Sequence, residues 1–467
     1  MSRINTNIAS LQAIRSLNRN NSDLSTRLQR LSTGLRINTG KDAPAGLIAS
    51  ETLRSEISGI NQAIDNSQRA NNVINTAEGA LGEVSALLLE VQSLTNQAAN
   101  TGALSPEEIS ANQLQVDAIL NSVNRIANTT QFNGVKLLNG SLDYTTSGVA
   151  STAVDSYQIN AAKLPDNGSV TIAIEVTQSA QTAGLAFTPA GIGAAATTIE
   201  ITGVIGTEQL TFAASAANSA IAFAVNALKE STGVSAITSG AGLRLSSTAF
   251  GASAFISVRT LTGSFLDNTD RGQDAGVTIN GYSADVDGLK ASVRTGDLDI
   301  TLNLDQAFAQ TVGNDSSFAV TGGGARFQIG AQVQRQAQIQ VGIQSVATSN
   351  LGNDIVGFLS QLSSGGESSL VSGNTVSAQK ILTESIRQVA TLRGRLGALQ
   401  KNVLETNISS LSVTLENVTA SESAIRDADF ASETAALTRA QILVQANTSV
   451  LAQANSTPQN VLALLGR

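Results

Sequence analysis

The chain has no cysteine, no histidine and no tryptophan. Without cysteine it can form no disulfide, no thiolate metal site and no thiol nucleophile. Without histidine, Ser-His-Asp and Cys-His catalysis and histidine-ligated zinc are excluded. Absence of cysteine ordinarily points to a reducing compartment or to chance, but it also suits a protein secreted as an unfolded thread that must avoid cross-links. Charged residues make up only 14% of the chain, against ~25% in ordinary domains. Asn, Gln, Ser and Thr supply the polarity instead, and such a surface packs against copies of itself with little desolvation penalty. The formal net charge of −8 argues against nucleic acid as a partner, because phosphate binding needs a basic face. No apolar run reaches the ~18 residues of a membrane span. The opening Met1-Ser-Arg-Ile-Asn-Thr-Asn7 lacks the apolar core of a secretory signal.

What the chain does contain is two long apolar stripes. Leu53, Ile57, Ile60, Ile64, Ile74, Leu81, Leu88 and Val91 form one near the start. Leu382, Ile386, Val389, Leu396, Val403, Ile408, Leu411, Leu415, Val418 and Ile425 form another near the end. Steps of three and four residues put each series on one helix face, and such a face needs a partner out of water. The nearest candidate is the other helix, which makes an antiparallel coiled-coil rod built by both termini. Pro44 suits the first turn of the long N-terminal helix, which could run to Ala99, roughly 80 Å at 1.5 Å per residue. Ser105 and Glu108 then form a capping box for a further helix ending near Asn128. Of the five prolines, at 44, 106, 165, 189 and 458, none interrupts the interior of either long stripe.

Between the stripes the period changes to two. Phe132–Gly140 carries two Asn-Gly pairs, a hairpin signal. Val170, Ile172, Ile174 and Val176 alternate with polar or small residues, as do Leu298, Ile300, Leu302 and Leu304, so both segments are expected to be half-buried strands. A short helix from Asn218 to Lys229 interrupts the strands, and Gly322-Gly-Gly324 suggests a hinge out of this insert. The whole predicts a multi-domain α+β chain with a strand-rich central insert. The segments are 1–43, an N-terminal core helix; 44–144, the first rod helices and hairpin; 145–325, the variable outer insert; 326–432, the C-terminal rod segment; and 433–467, a C-terminal core helix.

Three motifs invite chemistry and decline it. Gly34–Lys41 has its glycines one residue too far apart for a phosphate loop, and Asp42 stands where Ser or Thr should bind magnesium. Asp267–Gly272 has Thr and Arg at its third and fifth positions and no Glu at the twelfth, so it is a poor calcium loop. Asn139-Gly-Ser and Asn167-Gly-Ser match a glycosylation triplet that is common by chance. No cofactor and no metal site is therefore expected.

The terminal segments, 1–35 and 433–467, carry apolar stripes of their own outside the paired length of the rod. Either they pack on each other within one chain, or they remain loose until other subunits cover them. Their amides and small residues, and the scarcity of aromatics, favour the second arrangement.

The residues at both ends resemble those of one family, the bacterial flagellins. The likeness rests on Arg3-Ile-Asn-Thr-Asn7, Leu28–Asn38, Lys41-Asp-Ala-Pro-Ala-Gly46, Asn75–Leu81 and Thr130-Gln-Phe-Asn-Gly134. At the other end it rests on Phe327-Gln-Ile-Gly330, Arg426–Ala431, Thr438–Leu443 and Val461–Leu465. Together these cover roughly 1–140 and 325–467, and about 199–262 resembles a small repeat often inserted in flagellins. The resemblance implies a non-enzymatic structural protein: an extracellular subunit polymerising with itself into the flagellar filament that drives motility. It implies a filament-core seam containing Ile4, Ile8, Leu11, Leu443, Val450, Leu451 and Leu464, and a rod seam containing Leu53, Ile57, Ile60, Ile64, Leu81, Leu396, Ile408, Leu411 and Leu415. Export through the flagellar type III apparatus, a chaperone on the C-terminal segment, and contacts with cap and hook-associated proteins are implied too. The hook–filament junction protein shares similar termini and is the alternative; a peptidase insert, known in some flagellins, would lack histidine for its zinc. In flagellins sensed by the animal flagellin receptor, the stretch resembling Leu88 to Gln97 carries an Arg. Here Leu88, Leu94 and Gln97 are kept, but Glu90 stands at that position.

Overall fold

The computed structural model describes residues 6–165, 168–187, 195–239, 242–265 and 267–465, the last eight of these by backbone alone. Its helices are α1 (Ile8–Thr33), α2 (Pro44–Ala98), α3 (Pro106–Thr129), α4 (Asn218–Ala227), α5 (Lys229–Thr232), α6 (Gln306–Ala309), α7 (Thr375–Leu399), α8 (Thr406–Arg426) and α9 (Phe430–Leu465). A π turn, Gln400–Glu405, lies between α7 and α8. The ends of these helices follow from local chemistry. The Asn7 side chain accepts from the Ser10 amide at 3.0 Å to start α1, and Gly34, at φ 74°, closes it in the left-handed region. Ser105 and Glu108 form the expected capping box, with the Ser105 amide donating to Glu108 at 2.7 Å and the Glu108 amide donating to the Ser105 hydroxyl at 3.3 Å.

Contacts divide the chain into two compact units. The first gathers Met1–Gln68, Ile329–Val333 and Leu404–Arg467; the second gathers Arg69–Gln328 and Gln334–Val403. In the first, α1 packs antiparallel to α9, and the early part of α2 packs against α8. In the second, α3, α7 and the later part of α2 accompany all of the long strands. Arg393 of α7 donates to Glu78 of α2 at 2.7 and 2.9 Å. Buried Gln113 of α3 donates to Leu362 O at 2.8 Å and accepts from the Leu370 amide at 2.7 Å, pinning the loop that precedes α7.

The strands build two cores. One five-stranded sheet runs Tyr282–Ser283, Gly276–Ile279, Val170–Gln178, Asp315–Gly323, Tyr144–Ser147, and a four-stranded sheet runs Asp285–Asp287, Lys290–Arg294, Leu298–Leu304, Val154–Ala162. The alternating residues that announced two of these strands are buried: Ile172, Ile174 and Val176 from one sheet, and Leu298, Ile300, Leu302 and Leu304 from the other, in one cluster with Phe318. A second core joins a three-stranded and a four-stranded sheet between Thr182 and Arg271, and α4 fills it with Ile221 and Val225. At the tip of the first hairpin, Asn133 (φ 50°) and Gly134 (φ 82°) adopt the paired left-handed conformation that Asn-Gly favours.

Three features differ from the sequence-based expectation. The second Asn-Gly pair closes no hairpin; Asn139 instead accepts from the Ser141 amide at 3.1 Å in a polar turn. Gly323 and Gly324 are a tight crossing rather than a loose hinge. A Cβ on Gly324 would stand 2.8 Å from the Tyr144 ring, and both residues have positive φ. In the C-terminal stripe, Val403 is 36% exposed and Leu404 is fully buried in its place.

Tyr144 anchors that crossing. Its hydroxyl accepts from the Ala162 amide at 2.8 Å and donates to Ala162 O at 3.3 Å, and burial pushes its pKa up to about 12. A raised folded-state pKa contributes stability that is present below the unfolded value of about 10 and is lost as pH rises to about 12, here about 2–3 kcal/mol. Tyr144→Phe leaves the Ala162 amide unpaired and is expected to cost about 1–3 kcal/mol at neutral pH. The gap between parent and variant should close between pH 10 and 12, which urea titrations across that range measure. A constant gap would show that the hydroxyl does not titrate from this buried position.

Candidate assembly surface

Among the described residues, no group of three or more acidic side chains is placed to hold a metal ion, and no helix is long and apolar enough to cross a membrane. A cleft of roughly 480 Å³ between α7 and the strand Val154–Ala162 is lined by Lys290, Glu384, Arg387 and Gln388. Its charges answer one another: Arg387 donates to Glu384 at 2.6 and 2.8 Å and Gln388 donates to it at 3.0 Å, and these bonds hold that carboxylate below its usual range against the opposing effect of burial.

Exposed apolar side chains recur along the terminal helices. α1 and α9 meet antiparallel, with Ala13 and Ala440 buried and Leu17, Leu24, Leu31, Leu437, Val444 and Leu451 half-buried in phase with them. At one end the Asn7 amide donates to Ala454 O at 2.8 Å and the Ser10 hydroxyl bonds Asn455 at 2.8 Å. At the other, Arg27 donates to both carboxylate oxygens of Glu433 at 3.1 Å, with Arg30 at 3.8 Å from the same group. Glu433 is 7% exposed and was not singled out by the stripe pattern; a lone acid four residues before an apolar run was its only trace. The sequence favours terminal segments that stay loose until other subunits cover them. The structure corrects this and pairs them within one chain, because Asn7, Ser10, Arg27 and Glu433 supply polar links across them.

That pairing is incomplete. Ile8, Leu11, Ile14 and Leu28 on α1, and Ile442, Leu443 and Val450 on α9, are between 40% and 62% exposed, and Leu451 is half-buried. Ile4 lies outside the described residues, and the Leu464 side chain does too. Leu17, Leu24 and Leu31 of α1 and Leu437, Val444 and Leu451 of α9, in phase with the buried alanines, are half-buried, so each helix carries one covered apolar row and one uncovered row.

Between the terminal helices and the rest of the first unit, the two chain segments cross as a single β-bridge, Leu35 to Asp427. The Arg36 amide donates to Arg426 O at 2.7 Å and the Ala428 amide to Gly34 O at 2.9 Å. The Arg36 guanidinium caps the end of α8, donating to Ile425 O at 2.6 Å, while Arg426 reaches Glu51 of α2 at 2.9 Å. Gly46 follows from this crowding, because a Cβ there would stand 2.7 Å from the buried Ile37 side chain.

The proposed rod-seam residues divide between the units. In the first, Ile60 is buried and Leu53, Ile57, Ile64, Ile408, Leu411 and Leu415 are half-buried; in the second, Leu81 and Leu396 are buried. In the stretch Leu88 to Gln97, Leu88 and Leu94 point inward, whereas Glu90 and Gln97 are exposed. Gln97 accepts from Asn112 of α3 at 3.3 Å.

Glu433→Ala is expected to leave two partly buried guanidinium groups facing each other and to loosen the α1–α9 pair by about 2–3 kcal/mol. Hydrogen exchange should accelerate in α1 and α9 and stay unchanged in the strands; equal protection of the terminal helices in parent and variant would refute the pairing role.

Residues 4–143 match the model of the bacterial flagellin N-terminal helical region, and residues 379–465 match that of the C-terminal helical region. The chain is 31% identical to the flagellin of Salmonella typhimurium over 502 aligned positions, covering 99% of both chains. It is 32% identical to the B-type flagellin of Pseudomonas aeruginosa and 30% identical to flagellin B of Vibrio cholerae, again over 99% of each chain. Full-length similarity of this degree, with both terminal helical regions matched, settles the family: the chain belongs to the bacterial flagellins, the structural subunits of the extracellular flagellar filament.

Proposed function

We propose that copies of this chain assemble through the uncovered apolar rows of α1 and α9, which form the core of the filament, with Ile8, Leu11, Leu443 and Val450 in that seam and half-buried Leu451 at its edge. The observation that carries the reading is the second apolar row just described: beyond the row that joins the two helices, Ile8, Leu11, Leu28, Ile442, Leu443 and Val450 are left 43–62% exposed. A helix pair with one apolar face still in water gains by packing against further copies. The seam of α2 with α7 and α8 holds the subunit itself together, and the segment 145–325 faces solvent as the variable insert. The same outward row of α9 suits a chaperone that covers it before export through the flagellar apparatus, and contacts with cap and hook-associated proteins would use the same ends. We read no catalytic role into the insert; full-length protein incubated with unfolded substrates should show no turnover.

The assembly reading is tested by seeding purified protein with filament fragments and following elongation by electron microscopy. Removing residues 1–35 or 433–467 should abolish elongation while the strand-rich cores keep their melting transition. Ile442→Ser, which changes an outward residue only, should leave the monomer's melting unchanged and slow or stop elongation. Elongation at the parent rate would show that this face is not the interface.

A weak response from the animal flagellin-sensing receptor is also proposed. Glu90 is exposed on α2 at the position where an Arg is usual, so the exchange reverses charge and removes a planar five-donor group. Against a receptor surface built for Arg, the repelled or unpaired carboxylate costs about 2–5 kcal/mol if it is buried in the complex. Glu90→Arg should recover part of the response in reporter cells, and full potency of the unmodified protein would sink the idea.

A further inference from the structure

The C-terminal stripe contains one residue too many. In α7 the buried Ala378, Leu382, Ser385, Val389, Leu392 and Leu396 follow alternating steps of four and three, with Ile381 buried beside Leu382. Continued at the same step, the series would reach Val403 and then Val413, but these are 36% and 59% exposed. The inward side chains of α8 are Ile408, Leu411, Leu415, Val418 and Ile425, and that series extends back to fully buried Leu404, eight residues after Leu396 (404 − 396) rather than seven. α2 shows no such step: Leu53, Ile60, Ser67, Ile74, Leu81, Leu88 and Thr95 keep a seven-residue spacing throughout.

The π turn Gln400–Glu405 occupies the interval in which the phase changes. A π turn holds one residue more than an α turn for nearly the same rotation, so it removes the mismatch that a straight α-helix would carry into α8. Within each unit the outcome is the same. Arg393 of α7 reaches Glu78 of α2 at 2.7 Å in one, and Asn407 of α8 reaches Ser67 of α2 at 3.3 Å and Ile329 O at 2.8 Å in the other.

We propose that this π turn is a register device, which absorbs a single skip residue so that α7 and α8 each turn their apolar stripe toward the part of α2 in their own unit. Its position is fixed by the stripe that follows it. In the competing register α8 would turn Val403, Thr406, Ser410, Val413, Asn417 and Ala420 inward, a polar and small set, in place of Leu404, Ile408, Leu411, Leu415 and Val418. The device therefore makes one residue of the turn dispensable, and it makes neighbouring positions differ sharply in their tolerance of charge.

Four variants of the full-length chain test this by thermal melting. Val403→Asp should melt with the parent, whereas Leu404→Asp should lose on the order of 10 °C or fail to fold. Deletion of exposed Asn402 turns the π turn into ordinary α-helix with Leu404 seven residues after Leu396, and it should melt no lower than the parent. Deletion of exposed Ser410, outside the turn, puts the rest of α8 out of phase and should melt several degrees lower. If Leu404→Asp does not fold, Val403→Asp and the two deletions still decide the matter. Equal damage from Val403→Asp and Leu404→Asp, or from the two deletions, would overturn the proposal.

Discussion

The structure depends on one spacing. An inward side chain at every seventh residue of α2, from Leu53 to Thr95, makes a face that cannot be left in water, and nothing near it in sequence is long enough to cover it. The described polar links of α2 to α7 and α8 come from Arg393 to Glu78, Asn407 to Ser67 and Arg426 to Glu51, some 300 residues later, and in the proposed rod seam those helices cover it. Both ends of the chain are thus required before either is stable, a non-local demand that makes folding slow and leaves the separate halves exposed to wrong partners. The buried polar residues of the seam fit this arrangement. Ser67, Thr95 and Ser385 return their hydroxyls to the carbonyl four residues earlier, at 2.8 Å in each case. A hydroxyl whose proton is satisfied within its own helix demands no donor or acceptor from the partner, although Ser67 also accepts from Asn407 of α8 at 3.3 Å.

The insert is compatible with that demand because it leaves and returns at one place. Tyr144–Ser147 pairs antiparallel with Asp315–Gly323, so the chain entering the strands and the chain leaving them lie side by side. Gly323 and Gly324 permit the close crossing over Tyr144, and Arg395 of α7 ties the region to the helices by donating to Asn160 O at 3.0 Å. Burial pushes that guanidinium below its ordinary pKa, but an arginine remains charged under any physiological condition. With its ends fixed in this way, the insert can change length or content without altering the spacing between α3 and α7. A second core of its own, around Ile199, Ile221 and Leu245, shows how much the arrangement accommodates.

Legibility in the sequence followed the range of the interaction. Period-seven and period-two patterns are local, so the long helices, the capping box at Ser105 and the strands around Ile172 and Ile300 could be read directly. The buried Glu433 could not, because its two arginines lie some 400 residues away and a lone carboxylate on a helix resembles any solvated one. The partnership of α1 with α9 was obscured for a related reason: half-buried Leu24 and Leu31, in phase with Ala13, and exposed Ile8, Leu11 and Leu28 belong to one apolar pattern that does not tell the covered side from the uncovered one. Val403 was misplaced because steps of three and four absorb a single extra residue unless the phase is counted along the whole helix. Gly324 looked like a hinge because glycine marks close approach as readily as freedom, and only the position of Tyr144 decides between them.

The scarcity of charge gains its meaning from the same division of surfaces. Within the first unit, the described ion pairs that link segments distant in sequence are those of Arg27 and Arg30 with Glu433 and of Arg426 with Glu51. They sit where α1 meets α9 and where α8 ends, positions that set how the helices are held, and none of them lies among the outward Ile8, Leu11, Ile442 and Leu443. An ion pair in an outward row would have to be desolvated each time another copy arrived, at a cost that Coulomb attraction often fails to recover. A row of isoleucine, leucine and valine carries no such penalty and is indifferent to salt. In the proposed assembly, specific electrostatics inside the subunit and plain apolar area outside it are therefore complementary: the first would fix the shape that is repeated, and the second would supply the contact.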